Sequence, residues 1–311
     1  MSDRILHECG LAVVRLQKPL DWYRENRGDA LWGLRRLFLL MEKQHNRGQD
    51  GAGIGTVRFD MPAGERFITR LRSAQRNPIE RLFDTAMKPL RNISEDKFAQ
   101  LSAAELKHRM PLLGELMLGH LRYGTHGGRT IDVCHPYVRK NIVASRNLAV
   151  AGNFNLTNAP HLFQELVEYG LDPVGESDTQ VVLEKIGYYL DREHDQLAAT
   201  MGPGSFRGLE GRNLADAISS QLDLIRVLRH AADRFDGGYV FASLVGNGDL
   251  LICRDPAGIR PAFIYRDEAV VAAASERAAL VTAFNVDPDQ IEELPAAHAL
   301  EVKRNGEIRI A

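Results

Sequence analysis

The sequence has few cysteines, no long apolar run and no excess of charge of either sign. Three cysteines in 311 residues, Cys9, Cys134 and Cys253, are too few and too widely spaced for a disulfide framework. Sparse cysteine is typical of a reducing compartment, so we expect a cytoplasmic protein. The longest apolar runs, such as Leu37–Met41 and Ala269–Ala274, are much shorter than the roughly 20 residues of a transmembrane helix.

The chain start also lacks a secretory signal, because Met1–Glu8 is charged and has no apolar core. Lys and Arg total 39 against 41 Asp and Glu, which gives a formal charge of −2. This balance gives no global electrostatic support for binding nucleic acid or an anionic membrane, and we expect neither as a partner. Hydrophobic residues are 44% of the chain and charged residues 26%, as in ordinary globular proteins.

Common nucleotide- and metal-binding motifs are missing as well. There is no GxxxxGK[ST] loop, and the glycine-rich Gly51–Gly55 opens a predicted strand, the reverse of the order in a dinucleotide-binding loop. His120, His126, Cys134 and His135 lie within sixteen residues, but their spacing matches no structural zinc pattern. We therefore expect no metal and no cofactor in this domain.

Hydrophobic patterns predict strands towards both ends of the chain and helices between them. The predicted strands are residues 8–16, 51–59, 116–122, 148–152, 239–245, 250–254, 262–265, 270–274, 299–302 and 308–310. The predicted helices are residues 29–48, 159–169, 179–190, 213–234 and 276–283, with two or three surface helices in 74–109 and a loop over 202–211. This grouping favours an α+β fold with antiparallel sheets over a βαβ repeat.

Seven short segments, taken together and in chain order, carry a resemblance to a known family. In chain order they are Cys9-Gly10, His45–Gly53 (HNRGQDGAG), Gly119–Thr125 (GHLRYGT), Gly152–Asn158 (GNFNLTN), Ser177–Thr179 (SDT), Arg254–Pro261 (RDPAGIRP) and Ser275-Glu276. Together these segments resemble the class II glutamine amidotransferases, which are N-terminal-nucleophile (Ntn) hydrolases. The resemblance is greatest to the glutaminase domain of the amidophosphoribosyltransferases, and it covers nearly the whole chain.

The resemblance implies both a fold and an activity. The implied fold is a four-layer αββα sandwich of two antiparallel sheets, with Cys9 at the end of a central strand. The implied activity is hydrolysis of L-glutamine to glutamate and ammonia, which passes to an acceptor, phosphoribosyl diphosphate in purine biosynthesis. The expected partner is therefore a phosphoribosyltransferase-type synthase domain or subunit, and a homo-oligomer is compatible with the sequence.

The same resemblance implies the catalytic roles. Cys9 is the nucleophile, and its free α-amine, which titrates near pH 8, is the base. The side-chain amide of Asn153 and the backbone N–H of Phe154 form the oxyanion hole, where each donor contributes about 3 kcal/mol. The family commonly has glycine at the position of Phe154. If the backbone there were left-handed, as glycine allows, the phenylalanine would be strained.

Substrate-binding roles follow from the family pattern too. Arg122 matches the arginine that binds the substrate carboxylate, since its planar fork suits bidentate contact. Asp178 matches the acid that receives the α-ammonium group, and Thr125 adds a hydroxyl contact. The residues that match those shaping the nucleophile's surroundings are Arg47, Gly48 and Asp50.

The chain is expected to divide into a leader and a domain. Residues 1–8 are a candidate propeptide, whose removal at the Glu8–Cys9 bond frees the amine of Cys9. Residues 9–311 form the amidotransferase domain, with helical insertions near 74–109 and 192–235 that suit a docking surface. We find no diphosphate-binding feature in the sequence, so we expect the synthase domain to be truncated away or encoded separately.

Two alternatives stay open. A glucosamine-6-phosphate-synthase-type glutaminase is suggested by Gly124–Gly127 followed by His135-Pro136, whereas Phe154–Asn158 and Arg254–Pro261 favour the first interpretation. The other alternative is a catalytically silent scaffold with the Ntn fold and an uncut leader. The aromatic residue at Phe154 favours the scaffold, and the complete set of substrate-binding residues argues against it.

Overall fold

Two antiparallel sheets stack face to face in the computed structural model, which describes residues 8–62, 64–124, 130–200 and 211–311. Across the first sheet, the described strands run in the order β11 (Glu292–Glu293), β9 (Phe263–Arg266), β10 (Val270–Ala274), β1 (Gly10–Leu16), β4 (Leu116–Arg122), β2 (Gly51–Val57) and β3 (Ile68–Ser73). Across the second, they run β13 (Ile308–Ile310), β12 (Ala299–Val302), β8 (Leu250–Arg254), β7 (Gly237–Val245), β6 (Leu148–Leu156) and β5 (Tyr137–Arg139).

Helices cover the outer faces of both sheets. In chain order the described α-helices are α1 (Leu20–Arg27), α2 (Trp32–Lys43), α3 (Pro78–Met87), α4 (Glu95–Gln100), α5 (Ala103–Arg109), α6 (Ala159–Glu168), α7 (Asp178–Thr200), α8 (Gly211–Gln221), α9 (Leu224–Ala231) and α10 (Arg277–Phe284). Short 3₁₀ turns are His45–Arg47, Lys88–Leu90, Ile131–Val133, Ala144–Arg146 and Pro288–Gln290. None of the helices in the described ranges combines the length and apolar character needed to cross a membrane.

Three clusters of buried apolar side chains separate the layers. In β1, Leu11 and Val13 point into the cluster between the two sheets, while Ala12 and Val14 point into the cluster beneath α2. Alternate residues of a strand face opposite sides, so a strand buried on both faces is a continuous apolar run. A third cluster packs α6, α7 and α9 on the second sheet. The predicted αββα sandwich of two antiparallel sheets is confirmed.

Some predicted boundaries are wrong because pairing and capping overrode the local pattern. The strand predicted to end at Gly152 continues to Leu156, since its last residues pair with the start of β7. The helix predicted over 213–234 is two helices, α8 and α9. The break lies at Asp223, whose side chain caps α9 by accepting the backbone N–H of Arg226.

Other differences concern the segments on either side of β3. The polar strand β3 was not predicted, and it pairs with β2 at the edge of the first sheet. Residues 74–109 form three helices, but they are not only surface helices, since Leu82 on α3 and Leu106 on α5 are buried in the core. Helix α7 runs ten residues beyond its predicted end at Leu190, to Thr200. The predicted loop over 202–211 falls almost entirely outside the described residues.

Gly53 on β2 lies where the backbone of His135 crosses the sheet. A Cβ atom there would lie 1.9 Å from the carbonyl oxygen of His135. We expect Gly53→Ala to lower the free energy of unfolding by about 1–3 kcal/mol, because the backbone must move to relieve the clash. Gly175→Ala, whose added Cβ meets nothing within 4 Å, is the matched control. Chemical denaturation should separate the two variants, and equal effects would contradict this prediction.

Candidate active site

Cys9 directly precedes β1, the central strand of the first sheet. Its Sγ lies 4.0 Å from the carbonyl oxygen of Tyr123, just after the end of β4. Burial raises the pKa of this thiol, and the positive charges of Arg122 and Arg47 counter that shift only in part. Since the thiolate is the nucleophilic form, this cysteine needs a nearby base to take its proton.

Arg47 fixes the backbone around Cys9 from the turn after α2. Its Nε donates to the carbonyl oxygen of Cys9 at 3.2 Å, and its guanidinium also contacts the carboxylates of Glu8 and Glu276, at 3.0 and 3.5 Å. A Cβ on Gly48 would lie 2.6 Å from the backbone carbon of Arg122, so only glycine lets the turn approach β4 this closely.

Asp50 ties the start of β2 to the end of β4. Its backbone N–H donates to the carbonyl oxygen of Arg122 at 3.1 Å, and its carboxylate accepts the N–H of Gly124 at 2.9 Å. Arg122 itself is 5% exposed, and its guanidinium lies against Gly124. Thr125, the next residue, lies outside the described residues.

Asn153 approaches Cys9 from the second sheet. Its Nδ2 donates to the carboxylate of Glu8 at 3.1 Å, to the same oxygen that accepts from Arg47. Residues from both sheets therefore meet at one carboxylate, directly beside Cys9. Local sequence patterns do not indicate that Arg47 and Asn153 meet beside Cys9. Only the family motifs placed these three residues in one site.

Phe154 lies in the extended backbone of β6, opposite Tyr239, and its φ is not positive. The strain considered for a left-handed conformation is therefore absent. The N–H groups of Gly152 and Leu156 donate to His135 Nδ1 at 3.3 Å and to the Asp178 carboxylate at 2.8 Å. Because alternate N–H groups of a strand share an edge, the N–H of Phe154 points to this edge as well.

Asp178 is the first residue of α7 and is half-buried. Its carboxylate accepts the N–H of Leu156, which attaches it to the edge of β6 beyond Phe154. The described contacts thus join Arg47 to Cys9 directly, join Asn153 to Arg47 through the carboxylate of Glu8, and place Asp178 further along the edge of β6.

His120 and His135 hold the backbone of Gly152 between them. His120 Nε2 lies 3.0 Å from the carbonyl oxygen of Gly152, and His135 Nδ1 accepts its N–H. His135 Nε2 lies 2.8 Å from the hydroxyl of Thr179, next to Asp178. Because a carbonyl only accepts and an amide N–H only donates, both imidazoles carry their proton on Nε2.

These two histidines are buried and their ring centroids lie 4.1 Å apart. Burial lowers the pKa of His120 to about 3 and that of His135 well below its usual value. Both rings are therefore neutral parts of the scaffold that positions Asn153. The sequence placed His120 in a family segment and His135 beside Pro136, but it gave no sign that the two rings hold the same backbone residue. Among the described residues, no group of three or more His, Cys, Asp or Glu side chains is arranged to hold a metal ion.

The neutral histidines predict how stability depends on pH. Below about pH 6.5 the unfolded chain binds protons on these residues and the folded protein does not, so acid favours unfolding. From pH 6.5 to 5.5 each fully buried histidine should remove about 1 kcal/mol, since the unfolded histidine is already half protonated at pH 6.5. His120→Gln should flatten the slope of unfolding free energy against pH, as measured by denaturant titration. His161→Gln, an exposed residue of α6, is the control, and equal slopes in both variants would contradict the prediction.

Comparison with known proteins finds similar sequences among the amidophosphoribosyltransferases. No protein-family model matches the chain. The amidophosphoribosyltransferase of Methanocaldococcus jannaschii is 26% identical over 197 residues, covering 63% of this chain and 34% of that protein. The amidophosphoribosyltransferase of Escherichia coli is 28% identical over 221 residues, covering 70% of this chain and 33% of that protein. The chain thus spans about a third of the length of these relatives.

Solved structures agree on the fold. Glutamine phosphoribosylpyrophosphate amidotransferase from B. subtilis superposes with a TM-score of 0.61 at 19% identity, over 97% of this chain and 49% of that one. Together with the ordered motifs, these similarities confirm the resemblance stated from the sequence. The chain is similar to amidophosphoribosyltransferases over part of their length and shares its fold with a solved glutamine phosphoribosylpyrophosphate amidotransferase.

Proposed function

We propose that this chain is the glutaminase domain of an amidophosphoribosyltransferase-like enzyme, which hydrolyses L-glutamine to glutamate and ammonia. The observation that carries the proposal is the meeting of Arg47 and Asn153 at one oxygen beside Cys9. A nucleophile next to a cation and a side-chain amide donor is the arrangement that amide hydrolysis requires.

The first step needs cleavage of the Glu8–Cys9 bond, which removes the leader, residues 1–8, and frees the α-amine of Cys9. Because the pKa of the thiol is raised by burial, this amine takes the thiol proton as sulfur attacks the amide carbon. The carbon–sulfur bond forms while the carbonyl electrons move onto oxygen. The amine then passes its proton to the departing ammonia, and water hydrolyses the thioester to glutamate.

The negative oxygen of the tetrahedral intermediate would be held by the side-chain amide of Asn153 and the N–H of Phe154. The direction of that N–H, shared with Gly152 and Leu156, supports this assignment. Each donor is expected to contribute about 3 kcal/mol, since a preorganised donor needs no reorientation during reaction.

The amino-acid end of glutamine would lie between opposite charges. Arg122 binds its carboxylate, Asp178 its ammonium group, and Thr125 adds a hydroxyl contact. Arg122 is the last residue of β4, and Asp178 accepts a hydrogen bond from Leu156, the last residue of β6. Because the two residues are held by different strands, their charges are kept apart. The residues that support the nucleophile are Arg47, Gly48 and Asp50.

The acceptor and partner are proposed from the relatives' names. We infer that ammonia passes to phosphoribosyl diphosphate on a phosphoribosyltransferase-type synthase domain or subunit, with the helices of 74–109 and 192–235 as a docking surface. The relatives favour this acceptor over that of a glucosamine-6-phosphate synthase. Glutamine hydrolysis needs no cofactor or metal under this mechanism. A cytoplasmic location suits a free thiol nucleophile, and the protein is compatible with a homo-oligomer.

Replacing the nucleophile tests the activity. Cys9→Ala should abolish glutamate release from glutamine, whereas Cys253→Ala, at a buried cysteine on β8, should retain it. Intact-mass analysis of the active protein should show Cys9 as the first residue. Equal background rates in wild type and Cys9→Ala would favour the silent scaffold. A fully active protein that retains residues 1–8 would contradict the role of the amine.

Binding and catalysis should separate in the kinetics. Asn153→Ala should lower kcat by about 100-fold or more, because its donor acts on charge that develops in the transition state. Arg122→Ala and Asp178→Ala should mainly raise KM, because they remove contacts already made to bound substrate. Steady-state glutamate release measures both constants. Unchanged turnover in the Asn153 variant would show that the oxyanion hole is elsewhere.

A further inference from the structure

The residue before Cys9 places its carboxylate on Asn153, the side chain that the proposed mechanism assigns to the substrate oxygen, and on two arginines. One carboxylate oxygen of Glu8 accepts from Arg47 at 3.0 Å and from Asn153 at 3.1 Å. Its other oxygen pairs with the guanidinium of Arg260, a residue to which the mechanism gives no role. Both oxygens are thus held by charged or amide donors from three separate parts of the fold.

The third donor is held by its own backbone contacts. Arg260 lies between β8 and β9, where its N–H donates to the buried carboxylate of Asp255 at 2.9 Å. Its carbonyl oxygen accepts from Nε of Arg254 at 2.8 Å. These contacts fix the backbone from which the guanidinium extends, and none of them involves Glu8.

Charge explains why a carboxylate occupies this position. The side chains of Arg47 and Arg260 are each 15% exposed, and that of Glu8 is 30% exposed. Two largely shielded cations and an amide donor favour a negative group at their meeting point, because a hydrogen bond to an ionised partner is about twice as strong as a neutral one. The neutral side-chain amide of glutamine competes poorly with a carboxylate there.

We propose that Arg47, Arg260 and Asn153 form a carboxylate-binding site that holds Glu8 in the uncut chain and excludes glutamine until the leader leaves. This inference rests on the proposed function and adds regulation to the same site. While Glu8 is covalently attached, its effective concentration at the site is of millimolar order or higher. Cleavage of the Glu8–Cys9 bond makes the leader a separate peptide, so it dissociates and the site becomes available.

The occupancy of the site can be tested by binding. In the Cys9→Ala background, protein shown by intact mass to retain Glu8 is titrated with glutamine in a calorimeter. Adding Glu8→Ala should tighten glutamine binding about tenfold or more, because the competing carboxylate is gone. Glu276→Ala is the matched control, since it removes the other carboxylate on Arg47, and it should change affinity by less than about twofold.

The outcomes separate the two proposals. Equal glutamine affinity with and without the Glu8 carboxylate would overturn the carboxylate site and leave the glutaminase proposal standing. Absence of glutamine binding in every variant, and in protein that has lost its leader, would reject the glutaminase proposal and this inference with it.

A second experiment needs no glutamine. In the same Cys9→Ala background, a glutamyl endopeptidase cuts after Glu8, and intact mass follows loss of residues 1–8. Arg260→Ala should speed this loss about fivefold or more, because the cut site is released from its anchor. Arg260→Lys, which keeps the charge, should restore part of the protection. Arg266→Ala, which breaks a surface ion pair with Glu292, is the control.

Circular dichroism melting should show that all three arginine variants are folded. An unchanged cleavage rate in Arg260→Ala would overturn the anchoring role of Arg260. A rate raised equally in Arg266→Ala would also overturn it, since loss of any arginine would then suffice.

Discussion

The alternation of side chains in two facing strands directs Cys9 and Asn153, the proposed nucleophile and oxyanion donor, towards the same end of the core. Leu11 and Val13 of β1 point into the cluster between the sheets. Since alternate residues of a strand face the same side, the side chain of Cys9, two residues before Leu11, is directed to that side as well. Ala149 and Ala151 of β6 point into that cluster from the other side, and Asn153 follows two residues later. The packing of the two sheets therefore directs both residues into the space where the core ends.

The electrostatic character of the site around Cys9 depends on which of its groups are neutral. The thiol is half-buried and both imidazoles are buried, and burial works against charge on each of them. Positive charge comes from arginines, which stay protonated. A shielded site with fixed cations, and with no titrating histidine among the residues that the structure describes there, favours negative groups over a wide pH range. The carboxylate of Glu8 meets that preference in the uncut chain, and an oxyanion would meet it during turnover.

Local patterns predicted the fold where burial is simple. Strands β1 and β4 were found because apolar residues continue along both faces. The extension of β6 was missed because Asn153 and Asn155 interrupt its apolar pattern, although pairing with β7 continues. In the site, Cys9 and Asn153 came from family motifs. The contacts of His135 and Arg260 could not be predicted, since their partners lie far apart in the chain and meet only after folding.

The edge of β6 carries one further consequence. On the proposed assignments, the N–H of Phe154 receives the reacting oxygen, and the N–H of Leu156, two residues on, anchors the carboxylate of Asp178. Two strand residues span about 6.6 Å, and the ladder to β7 makes that spacing rigid. On these assignments, the strand fixes the distance between the proposed oxyanion position and Asp178. Asparagine, shorter by one methylene group, would then be too short to place its amide and its ammonium group at both positions at once.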